Sequence, residues 1–255
     1  MVIDRERVKQ AFQEYTDRYD IHDEKIRLKV EHTYRVADIS EQIAEKLGLS
    51  EEDIALAWLI GMLHDIGRFE QLKRFNSFEA DTMDHATYGV KVLFEEGMIR
   101  QFIEEDTWDD VIRTAIAKHS DYELTGITDE RTLLHARLIR DADKLDNCRV
   151  KLEDAMETLL DLSADEVGKY AISPKVREDA FAGKCICSKD RRTPMDYWVS
   201  YVAYFYDLNF RETLDIVAEE QYVKRIIGRV PYTNEQTKKT MEELERQLTE
   251  YVRRK

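Results

Sequence analysis

Apolar residues recur along this chain at three- and four-residue intervals, the spacing of helix faces. Over 22–47, Leu28, His32, Val36, Ile39, Ile43 and Leu47 line one face, and Gly48 closes the stretch. A shorter helix is expected before it, over 3–19. Ser50, with Asp53 three residues on, reads as the cap of a third helix. Its continuation over 54–63 is apolar on every side, which predicts a helix buried all round, ended by Gly67. The polar stretch 70–81 reads as a loop. Helices follow over 82–97, closed by Gly97, and over 108–119, where Val111, Ile112, Ala115 and Ile116 form the apolar set. A long helical stretch is expected over 130–160, bent or continuous. Pro174 and the segment 183–192 suggest loops. The aromatic run 197–206 predicts a helix that packs in a core or walls a pocket, with packing the commoner use of such stripes. A charged, amphipathic helix is expected over 234–254.

Composition points the same way. Nine Gly and three Pro in 255 residues supply too few turns for an all-β fold, and 43% hydrophobic residues suffice for a core. The expected class is all-α. We expect a core over 1–165 and a helical extension over 166–255 packing on it. The formal net charge of −14 disfavours long nucleic acid, whose backbone it repels, and leaves a small phosphorylated molecule as the expected partner. No apolar run approaches the ~18 residues of a membrane span, and the charged stretch of Asp4, Arg5, Glu6 and Arg7 does not read as a signal peptide. Three cysteines, Cys148, Cys185 and Cys187, make no disulfide framework, and the last two lack zinc-ligand spacing. A cytoplasmic protein is expected.

The candidate chemistry begins with His64-Asp65, directly after the apolar run. A carboxylate at the end of a buried helix is costly unless paired or metal-bound. Alone, the pair reads equally as a cap and a buried hydrogen bond. His32 lies in the apolar stripe of its helix, where a lone histidine is more often a satisfied core residue. His119 ends another apolar face, and His85 opens a helix in which Gly89, one turn on, permits close packing. Asp141, Asp143 and Asp146 cluster in the last stretch, and periodicity does not choose between Asp141 and Asp143. Four helices turning His or Asp inward would make a bundle-core metal site. His22 and His135 fall outside this pattern and read as surface or ordinary structural residues.

The ordered set His32, His64-Asp65, His85, His119 and Asp143 resembles the HD superfamily of metal-dependent phosphohydrolases. The flanking runs His64-Asp65-Ile66-Gly67, His32-Thr33-Tyr34-Arg35-Val36 and Ala142-Asp143-Lys144-Leu145-Asp146-Asn147 carry the likeness over about 20–160. The resemblance implies an HD-domain helical bundle and a divalent metal held by His32, His64, Asp65 and Asp143. It selects Asp143 over Asp141 and leaves Asp146 structural. His85 and His119 resemble the extra histidines of dinuclear members, among them the cyclic-dinucleotide phosphodiesterases, with Asp65 as the bridge. The chain departs from those phosphodiesterases in lacking their GYP-type signature after His119 and in carrying Arg68 where they carry Lys. Its segment 64–97 is closer to stand-alone HD hydrolases.

The activity expected is hydrolysis of a phosphate ester, of a nucleotide or a phosphodiester, by a metal-activated hydroxide at a dinuclear site. Imidazole and carboxylate ligands suit Mn, Fe, Co, Ni or Zn, one ion or two. Arg68 is the expected phosphate clamp, with Arg35 and Lys144 as further candidates. The alternatives are a mononuclear nucleotide phosphohydrolase, a regulatory or binding module without turnover and, more remotely, a dinuclear iron oxygenase.

Overall fold

A computed structural model describes residues 3–79 and 81–254, and among them there are helices and turns but no strand. Contacts divide the chain into two compact units, 1–143 and 144–255.

The first unit contains α1 (Arg5–Thr16), α2 (Glu24–Lys46), α3 (Glu51–Leu63), α4 (Ile66–Phe75), α5 (His85–Val90), α6 (Ile99–Phe102), α7 (Asp109–Lys118) and the first half of α8 (Glu130–Glu153). Its centre is α3, in which every residue from Leu56 to Leu63 is buried. Ser50 caps α3 by accepting from the Asp53 N–H, as its position in the sequence suggests. The helix is buried all round because α2 closes on it tightly. A Cβ on Gly61 would stand 2.5 Å from the Ala37 Cα, so only glycine permits this approach.

That closeness also turns α2. Its buried set is Ile26, Lys29, His32, Thr33, Val36, Ala37, Ser40, Ile43 and Ala44, whereas Leu28, Ile39 and Leu47 of the expected stripe are half-buried. The face is rotated towards Ala37, and it takes in a lysine.

Two further expectations change. The apolar helix does not end at Gly67 but at Leu63. After a break at His64-Asp65 the chain resumes as α4, which runs to Phe75 through residues expected in a loop. The stretch is polar in composition, yet Phe69, Gln71 and Leu72 are buried, so one narrow face suffices to hold it. Asp65, at φ −104 and ψ 18, lies outside helical geometry. The Tyr15 hydroxyl secures the break by donating to the Ile66 carbonyl at 2.9 Å.

Helices α4 and α5 meet through glycines. A Cβ on Gly67 would fall 2.1 Å from the His85 carbonyl oxygen and 2.7 Å from the Gly89 nitrogen. Gly67→Ala must therefore push α5, and His85 with it, away from α4. We expect a stability loss of roughly 1–3 kcal/mol or more, read by urea unfolding. A variant with wild-type stability would show that the two backbones can separate at no cost. After α5 the chain makes a π-helical turn, Lys91–Glu95.

The second unit holds the rest of α8, then α9 (Met156–Leu160), α10 (Ala164–Val167), α11 (Pro174–Phe181), α12 (Pro194–Ala203), α13 (Arg211–Glu219), α14 (Tyr222–Ile227) and α15 (Glu235–Arg254). The aromatic run becomes α12 and a 3-10 turn, with Trp198, Val199, Val202 and Phe205 in the core. The amphipathic final helix buries Met241, Leu244, Leu248 and Val252 along one side. The long stretch over 130–160 breaks after Glu153. Among the described residues no helix is long and apolar enough to cross a membrane.

Candidate metal centre

Five elements of the first unit deliver side chains to one buried cluster. His32 comes from the middle of α2, His64 and Asp65 from the break after α3, His85 from the first position of α5, His119 from the end of α7 and Asp143 from α8. The six residues form two triads, His32–His64–Asp143 and Asp65–His85–His119, and within each the donor atoms all lie within 4.8 Å of one another. The imidazoles run in a chain, with ring centres 5.4 Å apart for His32–His64, 5.3 Å for His64–His119 and 5.0 Å for His85–His119.

Asp65 stands between the triads. Its Oδ2 is 3.7 Å from His32 Nε2 and 3.5 Å from His64 Nε2, and its Oδ1 is 3.3 Å from His85 Nε2 and 3.6 Å from His119 Nε2. Asp143 Oδ1 lies 3.1 Å from His32 Nε2 and 4.0 Å from His64 Nε2. The cluster includes Asp143 and not Asp141, which is fully buried elsewhere on α8.

The protonation states suit metal ligation. His64 Nδ1 is 2.7 Å from the Gly61 carbonyl, and His119 Nδ1 is 2.7 Å from the Ile116 carbonyl. A carbonyl only accepts, so each ring carries a proton on Nδ1 and directs Nε2 inward. Both bonds span three residues and close on the carbonyl of the preceding turn, so the same local device sets both rings. Burial lowers the pKa of His64 to about 4, against the pull of Asp65 and Asp143, and leaves it neutral at pH 7. Burial, then Arg68, hold His85 well below its ordinary value. Burial pushes the Asp65 carboxyl up, but Lys29, His64 and Arg68 overcome it and keep the group ionised. Asp143 is also held low, burial being outweighed by the hydrogen bond and charge of His32.

Two buried polar atoms test whether a cation fits. His64 Nε2 and Asp65 Oδ1 have no hydrogen-bond partner among the described residues. A buried lone pair and a buried carboxylate oxygen left without a hydrogen bond are each costly. They are also the donors that a divalent transition ion binds. The residues fit a metal.

Residues 30–148 match the model of the HD domain family. Over this segment the chain is similar to HD domains. The match spans α2 through α8 and includes both triads. HD domains bind divalent metals and are in general metal-dependent phosphohydrolases. No match to the chain was found among curated proteins or among solved structures.

Three basic residues are expected at the phosphate from the sequence. Arg68 is at the HD-domain centre, its Nη2 2.9 Å from His85 Nε2 and its Nε 3.7 Å from Asp65 Oδ1. Arg35 is on the exposed side of α2, paired with Glu31 at 3.0 Å. Lys144 is in the second unit, paired with Asp207 at 2.7 Å. His22 is exposed. His135 is fully buried and meets Asp53 at 3.0 Å, in a cluster that Arg131 completes. Asp146 pairs with Arg149 one turn on.

Two residues of the HD-domain centre are not evident from the sequence pattern. Lys29 is 8% exposed, and its Nζ lies 2.7 Å from Asp65 Oδ2. Gln71, fully buried, accepts from Arg68 Nη1 at 2.5 Å and donates to the Glu79 carbonyl and the Thr82 hydroxyl at 2.8 Å each. The signal for Lys29 is its register, since three residues before His32 it shares that histidine's side of the helix.

Proposed function

We propose that the HD domain hydrolyses a phosphate ester, of a nucleotide or a phosphodiester, with two divalent transition ions. The observation that carries this reading is the position of Asp65, one carboxylate oxygen towards each triad. In this reading His32, His64 and Asp143 would hold one ion, and Asp65, His85 and His119 would hold the other. Bound there, Mn, Fe, Co, Ni or Zn would supply Lewis acidity and lower the pKa of a water to about 7.

The protein's own groups do the rest. The His64 and His119 rings, their Nδ1 atoms held by the Gly61 and Ile116 carbonyls, direct Nε2 towards the ions. Lys29 holds the Asp65 carboxylate in place and offsets its charge. Arg68 supplies a planar, permanently charged fork for phosphoryl oxygens, anchored from behind by Gln71. Asp143, with a side chain 24% exposed against 6% or less for the other five ligands, marks the side from which solvent reaches the cluster. Arg35 and Lys144, engaged with Glu31 and Asp207, have no part in the proposed site.

A second reading, a mononuclear nucleotide phosphohydrolase, is favoured by the guanidinium already bonded to His85. The test is metal content and turnover of the purified chain. With Mn we expect hydrolysis of a nitrophenyl phosphodiester or of a member of a nucleotide panel, abolished by a chelator and restored by Mn. His64→Gln should lose one metal equivalent, and His119→Gln a different one. Loss of nothing in His119→Gln would favour the mononuclear reading. A folded protein that takes up no metal, or that hydrolyses at full rate in excess chelator, would overturn both.

A further inference from the structure

We infer that the Arg68 guanidinium is a built-in cation of the Asp65–His85–His119 triad, so that a divalent ion binds there only by displacing it. This rests on the metal reading of the site proposed above. Arg68 is 14% exposed at its side chain. It donates to His85 Nε2 at 2.9 Å, to Gln71 Oε1 at 2.5 Å and to the Phe78 carbonyl at 3.1 Å, and its Nε lies 3.7 Å from Asp65 Oδ1.

A guanidinium has donors only and keeps its charge in proteins. The nitrogen it meets must therefore accept, and His85 Nε2 presents to Arg68 the lone pair with which it would bind a metal. His119 Nε2 is 3.0 Å from His85 Nε2. Its proton is on Nδ1, given to the Ile116 carbonyl. Two ring nitrogens of the triad thus lie within hydrogen-bond distance of each other beside an ionised carboxylate. Lys29 meets the carboxylate at Oδ2, and on the Oδ1 side, where His85 and His119 lie, the positive charge is Arg68. It meets two of the three groups of this triad.

The other triad is different. Among the described residues, Arg68 makes its bonds to His85, Gln71 and Phe78 and none to His64, whose Nε2 has no hydrogen-bond partner. A cation arriving there displaces nothing from that nitrogen and parts the neutralising His32–Asp143 contact of 3.1 Å, which leaves no like charge bonded to a ligand nitrogen of the kind Arg68 presents to His85. One arriving at the second triad must break the Arg68–His85 bond and meet a like charge. The two positions are therefore unequal in the metal-free protein, and the second ion is admitted last. The phosphate-clamp role proposed for Arg68 and this one follow in order, since the guanidinium that leaves His85 stays tied to Gln71 and is free to take an anion.

The test uses the metal-free full chain and Mn alone, titrated by calorimetry and equilibrium dialysis, with electron paramagnetic resonance reporting coupled ion pairs. Wild type should bind one Mn tightly and a second on the order of tenfold or more weaker. Arg68→Met removes the charge at similar length, and Arg68→Gln removes it while keeping a donor for His85. Either folded variant should tighten the second site towards the first, and the coupled signal should appear at lower Mn. A second site unchanged or weakened in both variants, or two equal sites in wild type, would overturn the inference and leave the metal reading standing. A folded wild type that binds no Mn would overturn the metal reading, and this inference with it.

Discussion

Asp65→Asn is expected to strip the centre of metal and to cut phosphate-ester hydrolysis by roughly three orders of magnitude or more. The substitution keeps the shape of the side chain and removes its charge. It also suits the surroundings of the metal-free site. The amide oxygen can accept from Lys29, which now meets Oδ2 at 2.7 Å, and the amide N–H groups can donate to His85 or His119, whose ring nitrogens stand 3.3 and 3.6 Å from Oδ1. The fold should survive because these bonds are made. The metal should be lost because they consume the lone pairs that would bind it, and because the substitution removes the carboxylate that faces both triads. Atomic emission of the purified variant and turnover with Mn are the measurements, and circular dichroism checks the fold. A folded Asp65→Asn protein with wild-type metal content and rate would remove Asp65 from the centre.

Lys29→Met should lower the stability of the metal-free protein by about 3–5 kcal/mol, since removing one partner strands the other as a buried charge. Lys29 and Asp65 have side chains 10% and 2% exposed, so water cannot take the place of the ammonium. At the usual scaling this is a fall in melting temperature of roughly 6–20 °C. The cost is electrostatic, and another cation can meet it. Mn should therefore raise the melting temperature of Lys29→Met more than that of wild type, because the ion that binds the folded state also compensates Asp65. A merely packed lysine would show no such metal-dependent rescue. A metal-free variant melting within about 2 °C of wild type would mean that Asp65 is balanced without Lys29.

Much of this site is legible in the amino-acid sequence, for local reasons. His64-Asp65 stands out because two polar residues end a run that is apolar on every side, and burial makes a carboxylate there conspicuous. His32 and His119 lie on apolar faces, which periodicity finds. Other features are hidden. The sequence offers Asp141 and Asp143 alike, since α8 has buried residues on more than one side, among them Arg140, Ala142 and Leu145. Helix α4 reads as a loop because its one buried face is brief and carries a glutamine. Lys29 escapes the pattern because a lysine counts as polar in any hydropathy scale, although its neighbours Ile26 and Thr33 are buried.

The sequence by itself determined the helical class and the apolar helix at the centre, and it offered the candidate ligands in order with Asp141 and Asp143 both open, because each is a matter of residue type and spacing within one segment. Only the tertiary structure decided how those ligands divide into triads, that Asp65 faces both, and that Lys29 and Arg68 press their charges on it. These depend on residues far apart in the chain, such as His85 and His119, meeting where helices cross. The crossings are set by backbones that close on Gly61, Gly67 and Gly89, and no periodicity within a single helix records which other helix it will meet.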